Sequence, residues 1–401
     1  MTTPPAHPHL STGRRGLSTA GDTPPHTAWP QIVVVGSLST DCVADRHLQG
    51  LLRRGDAVRG WAVRPGTEQV ITRGAAHKLM MLARDGRSRV LPGGGGYRIA
   101  EALTGLRLGL RIGFVGVLGG GDAAAATVSR MRAAGIDDRH VLHDRRQPMG
   151  FTLYVADPGG YTVLVYPGAN LTVADQLLTW SDTLIDYLAD AQVVYIAPLP
   201  GRQTATRLAG LLAVVRARNR RTVVVLDPGL SAAADPAGAG SLLRLADVVV
   251  CDYHRLAHLS GLPAGSAQDA MAALALGQLR RGATLLLQRV HQVLTWHHDP
   301  AGAAETFYPT SVGAADIVET FGLDEAFTTG LLASIGGAGG VTDTGMRLAT
   351  AMLRHRLTHA DRGLGDLAAV AHRFWPRAGG GAREPPDPTN HLHEPTGPEH
   401  A

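Results

Sequence analysis

Six short runs of consecutive apolar residues, rich in β-branched side chains, recur through the middle of this chain: QIVVVG (31–36), RIGFVGV (111–117), AQVVYIA (191–197), RTVVVLD (221–227), ADVVVCD (246–252) and ATLLLQ (283–288). A strand with one face in water alternates apolar and polar residues, so runs without alternation need cover on both faces. Helical patterns at 123–134, 203–217, 267–278 and 342–358 separate most of them. Alternating strand and helix predict an α/β fold, a mostly parallel central sheet inside a three-layer αβα sandwich.

Two regions break the alternation. Residues 43–92 show no clear helical period, and GFTLYVADPGGYTVLVY (150–166) alternates about a Pro-Gly-Gly turn, the pattern of a β-hairpin. Parts of these regions are predicted to form a small β-sheet beside the main one, suited to act as a lid or simply to pack there. Residues 1–30 and 376–401 are rich in Pro and polar residues without periodicity, which predicts disordered tails around an α/β domain spanning 31–375.

Composition excludes several classes. The formal charge is only +4, and the arginines are scattered along the chain, so a nucleic-acid surface is not expected. RARNRR (216–221) closes a predicted helix, where cations complement the helix dipole. No run of about 18 apolar residues and no signal layout is present, which predicts a cytoplasmic protein without a membrane span. The two cysteines, Cys42 and Cys251, rule out a disulfide framework, and no histidines have helical metal-ligand spacing, so no metal site is predicted.

The chemistry-bearing motifs come in a telling order. VVVGSLSTD ends the first strand with Gly36 and Asp41; LPGGGGYRIAEAL (91–103) opens a helix on glycines; MRAAGID (131–137), the hairpin, YPGAN (166–170), VVVLDPG (223–229) and ADVVVCDYHRLAHLSG (246–261) follow; ETFGLDEAF (319–327) leads into a helix. This series resembles the PfkB, or ribokinase-like, family of carbohydrate and nucleoside kinases over roughly residues 31–372. The resemblance implies Mg²⁺-assisted transfer of the ATP γ-phosphoryl group to a hydroxyl of a sugar-like or nucleoside-like ligand. It implies that Asp41, Gly93 and Gly94 hold the ligand, with position 98 beside them. Gly322 and Leu323 then take the place of the family's anion hole at a helix N-terminus, where unpaired N–H groups favour negative charge. Members often dimerise through the β-layer, so a homodimer through the lid is implied as well.

Four places depart from the family pattern. Its terminal signature, Asp-Thr-x-Gly-Ala-Gly-Asp-x-Phe, becomes ETFGLDEAF: Asp324 stands where the second glycine belongs and Glu325 where the catalytic base belongs. A shift of one residue would make Asp324 the base, but Phe327 then falls out of step, which favours Glu325. Asp324 either faces the migrating phosphoryl group, at roughly 1–4 kcal/mol of repulsion near 4 Å, or turns outward and caps its helix. Arg98 replaces a sugar-holding Asn, and its fixed fork of donors suits an acidic or phosphorylated ligand. In the nucleotide and Mg²⁺ region, DYHR (252–255) puts Asp252 and Arg255 where the family has Asn-x-x-Glu, and QRVHQV, beginning at Gln288, replaces a glycine-bearing loop.

Two functional readings follow: a small-molecule kinase with an altered active site, or a pseudokinase that binds a ligand or partner without chemistry. A third, a different α/β enzyme using GVLGGGD (116–122) as a nucleotide loop, lacks the Gly-x-Gly-x-x-Gly spacing and the downstream ribose-binding acid.

Overall fold

The computed structural model describes residues 29–53, 68–157, 160–176, 181–229, 235–263, 265–298, 304–359 and 366–375. Both predicted tails, apart from residues 29 and 30, and residues 54–67 of the first irregular region lie outside the described residues. In chain order the strands are β1 (Ile32–Val35), β2 (Ser39–Val43), β3 (Glu68–Val70), β4 (Arg89–Gly93), β5 (Ile112–Gly120), β6 (Asp137–Pro148) and β7 (Gly150–Asp157). They continue with β8 (Gly160–Tyr166), β9 (Val193–Ile196), β10 (Val223–Leu226), β11 (Val248–Cys251), β12 (Thr284–Gln288), β13 (Gln292–His297) and β14 (Ala304–Pro309).

Nine of these form the large sheet, in the order β14-β13-β12-β11-β10-β9-β1-β5-β6. From β12 to β6 every pairing is parallel, and β13 and β14 add an antiparallel edge. The six apolar runs supply β1, β5 and β9–β12. Cover on both faces is visible within β1: Val33 and Val35 join one core cluster, Ile32 and Val34 the other. Helices Asp182–Ala189, Thr204–Arg218, Pro236–Leu243, Tyr253–Ser260 and Gln268–Leu276 cover the first face. Gly95–Gly105, Asp122–Ala133, Leu323–Ala338, Asp343–Thr358 and Leu367–Phe374 cover the second. This is the three-layer sandwich that the alternation predicts.

The small sheet has the order β3-β8-β7-β2-β4, with β7 and β8 as the antiparallel hairpin expected from 150–166. The region 43–92 differs from its expectation, because it contains helices Arg46–Arg53 and Arg73–Asp85 as well as strands. Each helix buries only a narrow stripe, Leu48 and Leu52 on one and Ala76, Leu79 and Ala83 on the other; arginines and other polar residues around those stripes hide the period. The stripes pack with Cys42, Phe151, Leu153, Val155 and Leu164 of the small sheet. One face of that sheet is therefore covered by the chain's own helices, and a dimer using that face would have to displace them. Among the described residues no helix is long and apolar enough to cross a membrane.

Candidate active site

The polar residues singled out by sequence gather at the C-terminal ends of the parallel strands, beneath the small sheet, where open α/β sheets hold ligands. β1 leads through Gly36 into β2, which carries Asp41; β11 ends beside Asp252, and β12 ends on Gln288. They fall into two groups.

The first is closed. Asp41, Arg98 and Glu325 are 0%, 6% and 9% exposed. Asp41 Oδ1 accepts the Ser39 hydroxyl at 2.7 Å, and its Oδ2 accepts the Gly94 N–H at 3.2 Å. Arg98, in the first turns of helix Gly95–Gly105, donates from Nη2 to Glu325 Oε1 and brings Nε to 3.6 Å from Asp41 Oδ2. One guanidinium thus bridges the two acids on which the expected chemistry depends. Burial raises the Asp41 pKa, and Glu325 adds to the rise, against the pull of Arg98 and of the Ser39 and Gly94 hydrogen bonds. Burial also works against the charge on Arg98, but Glu325, Tyr154 and Asp41 outweigh it and hold its pKa above the usual arginine value.

Gly93 is required for this approach. It pairs with Ser39 in the antiparallel register of β2 and β4, and a Cβ there would lie 1.9 Å from Asp41 Cγ. Above the cluster, the Arg98 guanidinium carbon stacks 4.2 Å from the centre of the Phe321 ring, and Tyr154 of β7 meets that ring edge-on at 4.9 Å. The loop bearing Phe321 is held by Arg356, whose Nε donates to the Phe321 carbonyl at 2.8 Å and whose Nη2 donates to Glu319 at 3.0 Å; Arg89 of β4 also pairs with Glu319. Sequence reading missed Tyr154, Phe321, Glu319, Arg89 and Arg356. Glu319 and Phe321 stood inside the quoted terminal motif, but nothing in the letters tied them to β7 or to helix Asp343–Thr358.

The second group is partly open: Asp227 and Gln288 are buried, Asp252 and Arg255 half-buried, and Asp324 exposed. Asp227, just beyond β10, accepts from Arg255 Nη1 at 3.0 Å, and Asp252 Oδ2 lies 3.5 Å from Arg255 Nε. Asp252 also caps helix Tyr253–Ser260 by accepting the Arg255 N–H at 2.7 Å. Asp324 accepts from Gln288 Nε2 at 3.0 Å. Glu68 of β3, exposed at the rim, is close enough to feel the charges of Arg255, Asp227 and Asp252. Being walled in pushes Asp227 up to about 6, against Arg255 and the Gly229 N–H. Asp324 is pushed up to about 7, first by the protein walls around the cleft and then, past the opposing Arg255, by Glu325, Asp252 and Asp227. Its outer edge nevertheless meets water. Asp227 was missed as a site residue, although its motif VVVLDPG was read.

Both groups meet at helix Leu323–Ala338. Its N-cap is Gly322, at φ 81°, a left-handed conformation that suits glycine. The glycine has no side chain to cap the first turn, and Asp324 is exposed there, as its outward alternative expects, with its carboxylate accepting from Gln288. Leu323 is the first helical residue, and the N–H groups of the first turn have no partner within the helix. Glu325 turns to the closed group and Asp324 to the open one.

Beside this arrangement, a buried acid on β2 and a helix-borne acid at the strand ends beneath a small sheet, the model of the pfkB family of carbohydrate kinases matches residues 80–335. The chain belongs to that family. Among solved structures, this pfkB-family chain is similar to adenosine kinase from Schistosoma mansoni in complex with 2-fluoroadenosine (TM-score 0.66, 11% identity), over 84% of this chain and 97% of that one. It is also similar to the Burkholderia thailandensis nucleoside kinase in complex with inosine (TM-score 0.59, 19% identity; 86% and 97% covered). The Arabidopsis thaliana ribokinase complexed with ribose and ATP gives TM-score 0.59 at 16% identity (86% and 99% covered). At these identities the likeness carries the ribokinase-like fold alone. No curated protein matches the chain by sequence.

Kinases of this family use ATP, generally with Mg²⁺. A hard cation takes oxygen ligands, yet Asp227 and Asp252 are engaged with Arg255, and among the described residues no group of three ligands is arranged to hold a metal. The described residues do not form a protein-held Mg²⁺ site.

Proposed function

We propose that this chain is a small-molecule phosphotransferase of altered active site, working in the cytoplasm on a sugar-like or nucleoside-like acceptor. The observation that supports this reading is the buried bridge through Arg98, which pairs with both Asp41 and Glu325. In the reaction, Asp41 orients an acceptor hydroxyl and Glu325 takes its proton. The freed oxygen bonds to the γ-phosphorus of ATP as the bond from that phosphorus to the bridging oxygen breaks, giving a phosphate ester and ADP. The uncapped N–H groups after Gly322 lie where charge develops on the migrating group. Glu325 must first leave Arg98, so the described arrangement is a resting one.

ATP consumption with a panel of acceptors tests this. Glu325→Gln is expected to lower turnover by about 10²–10⁴-fold, and equal turnover by that variant removes Glu325 from the mechanism.

The second reading, a pseudokinase that binds a ligand or partner without chemistry, is favoured by the carboxylates of Asp324, Asp252 and Glu68 around the phosphate end. A thermal shift with an acceptor but none with Mg²⁺·ATP supports it over the first reading.

A further inference from the structure

Arg98 stands between Asp41 and Glu325, so on the reading above a hydroxyl that reaches both acids must take its place. Its bonding there is incomplete: Nη2 is engaged by Glu325, but Nε, buried and 3.6 Å from Asp41, has no hydrogen-bond partner. A neutral polyol or nucleoside entering this space separates the guanidinium from Glu325 and offers it only weak replacements. Leaving a buried charge without its partner is among the most unfavourable steps a binding site can take. An entering carboxylate or phosphate offers the guanidinium two parallel charge-assisted hydrogen bonds, and in the same step frees Glu325.

The surroundings do not oppose an anion. Around the Phe321 ring, the acids Asp41, Glu325 and Glu319 are matched by Arg98, Arg89 and Arg356, with the Arg89 guanidinium carbon 5.8 Å from the ring centre. Phe321 and Tyr154 supply an apolar wall that holds water back from the exchange.

We propose that Arg98 makes the acceptor pocket selective for a hydroxylated anion, whose carboxylate or phosphate takes Arg98 from Glu325 while a hydroxyl of the same molecule reaches the freed Glu325 carboxylate. The proposal rests on the reading of Asp41 and Glu325 as the acceptor site. Arg98 acts here as a specificity-determining residue and as the lock on the base.

The test is calorimetric titration of the full chain with three probes of one skeleton: glucose, gluconate and a glucose phosphate. Gluconate or the glucose phosphate is expected to bind at least about tenfold more tightly than glucose, and the tighter of the two identifies the anion. Arg98→Asn is expected to abolish that preference and to bind glucose as well as either anion. Arg98→Lys keeps the charge without the fork, so it guards against a folding failure of the Asn variant; it is expected to lose about tenfold in anion affinity and little for glucose. Equal binding of all three probes by the unaltered chain, no binding of either anion, or an undiminished anion preference in both Arg98 variants overturns the proposal. Asp41→Asn separates the two levels of inference. If it weakens every probe while the Arg98 variants leave the preference intact, the acceptor site stands and only the role of Arg98 falls; if it changes nothing, the acceptor-site reading falls as well.

Discussion

The two ends of the site are built on the same plan and behave differently. At the acceptor end Arg98 lies between Asp41 and Glu325; at the phosphate end Arg255 lies between Asp227 and Asp252. The first trio is buried throughout under Phe321 and Tyr154, whereas in the second Asp227 is buried but Arg255 and Asp252 reach water, beside the exposed Asp324 and Glu68. An arginine between two acids is thus a plug in one setting and a partly screened neighbour in the other. Burial decides which, because a sealed charge has no alternative to its partner while an exposed one has water and salt. The departures from the family pattern accordingly differ in setting: Arg98 is buried between its two acids, and Asp324 stands exposed at the other end of the site.

Truncating each arginine probes that contrast most strongly. Arg98→Ala strands two buried carboxylates and is expected to lower stability by about 3–5 kcal/mol. Arg255→Ala strands one buried carboxylate, Asp227, while Asp252 already meets water, so the expected loss is smaller, about 1–3 kcal/mol. Urea denaturation at pH 8 measures both, and equal losses would erase the distinction between a sealed and an open trio.

A smaller effect sharpens the closed end alone. Gly93→Ala puts a methyl group 1.9 Å from Asp41 Cγ, so the carboxylate or the β2–β4 pairing must shift, at an expected 1–3 kcal/mol or about that for overpacking. Gly95→Ala is the internal control: its Cβ would meet Glu325 Oε1 at 3.6 Å, an ordinary contact, and stability is expected to change by no more than about 0.5 kcal/mol. If the two variants unfold at the same urea concentration, the tight seat of Asp41 is not what holds the closed trio.

The same contrast explains what the letters disclosed. Runs such as IVVV of β1 and TLLLQ of β12 declared themselves because both faces of the large sheet are covered, and an unbroken apolar run is visible in one dimension. Helix Arg73–Asp85 escaped because its buried stripe is narrow and made largely of small residues. The charged edge strand β6, DDRHVLHDRRQP, escaped because only Val141 of its residues is buried. At the site, Asp41, Arg98 and Glu325 were recognisable as motif positions, yet their mutual ion pairs were not, since pairing depends on how the small sheet and helix Leu323–Ala338 meet. Asp227 lay in a quoted motif without a role and Arg356 had no local signal: each acquires its role from a partner on another element.

The smallest expected effect belongs to the open end and is a matter of pH. Asp324 has an ordinary carboxyl pKa of 3.8 when unfolded and about 7 in the fold, and Asp227 moves the same way, to about 6. Between about pH 4 and 7 the folded state therefore binds more protons than the unfolded chain, so the slope of unfolding free energy against pH is negative. The contribution of Asp324 to stability is greatest with the carboxyl protonated and is lost as pH rises through 7. Asp324→Asn removes the charge, so it is expected to raise the melting temperature at pH 8 and to leave it nearly unchanged at pH 4. Water at the outer edge of the carboxylate limits the gain to about one degree. Affinity for Mg²⁺·ATP should follow the same sign, rising for the unaltered chain as pH falls from 8 to 6 and losing most of that dependence in the variant. A melting-temperature difference that is larger at pH 4 than at pH 8 would mean that Asp324 is held as a stabilising anion, and the phosphate end would then be a paired site like its neighbour.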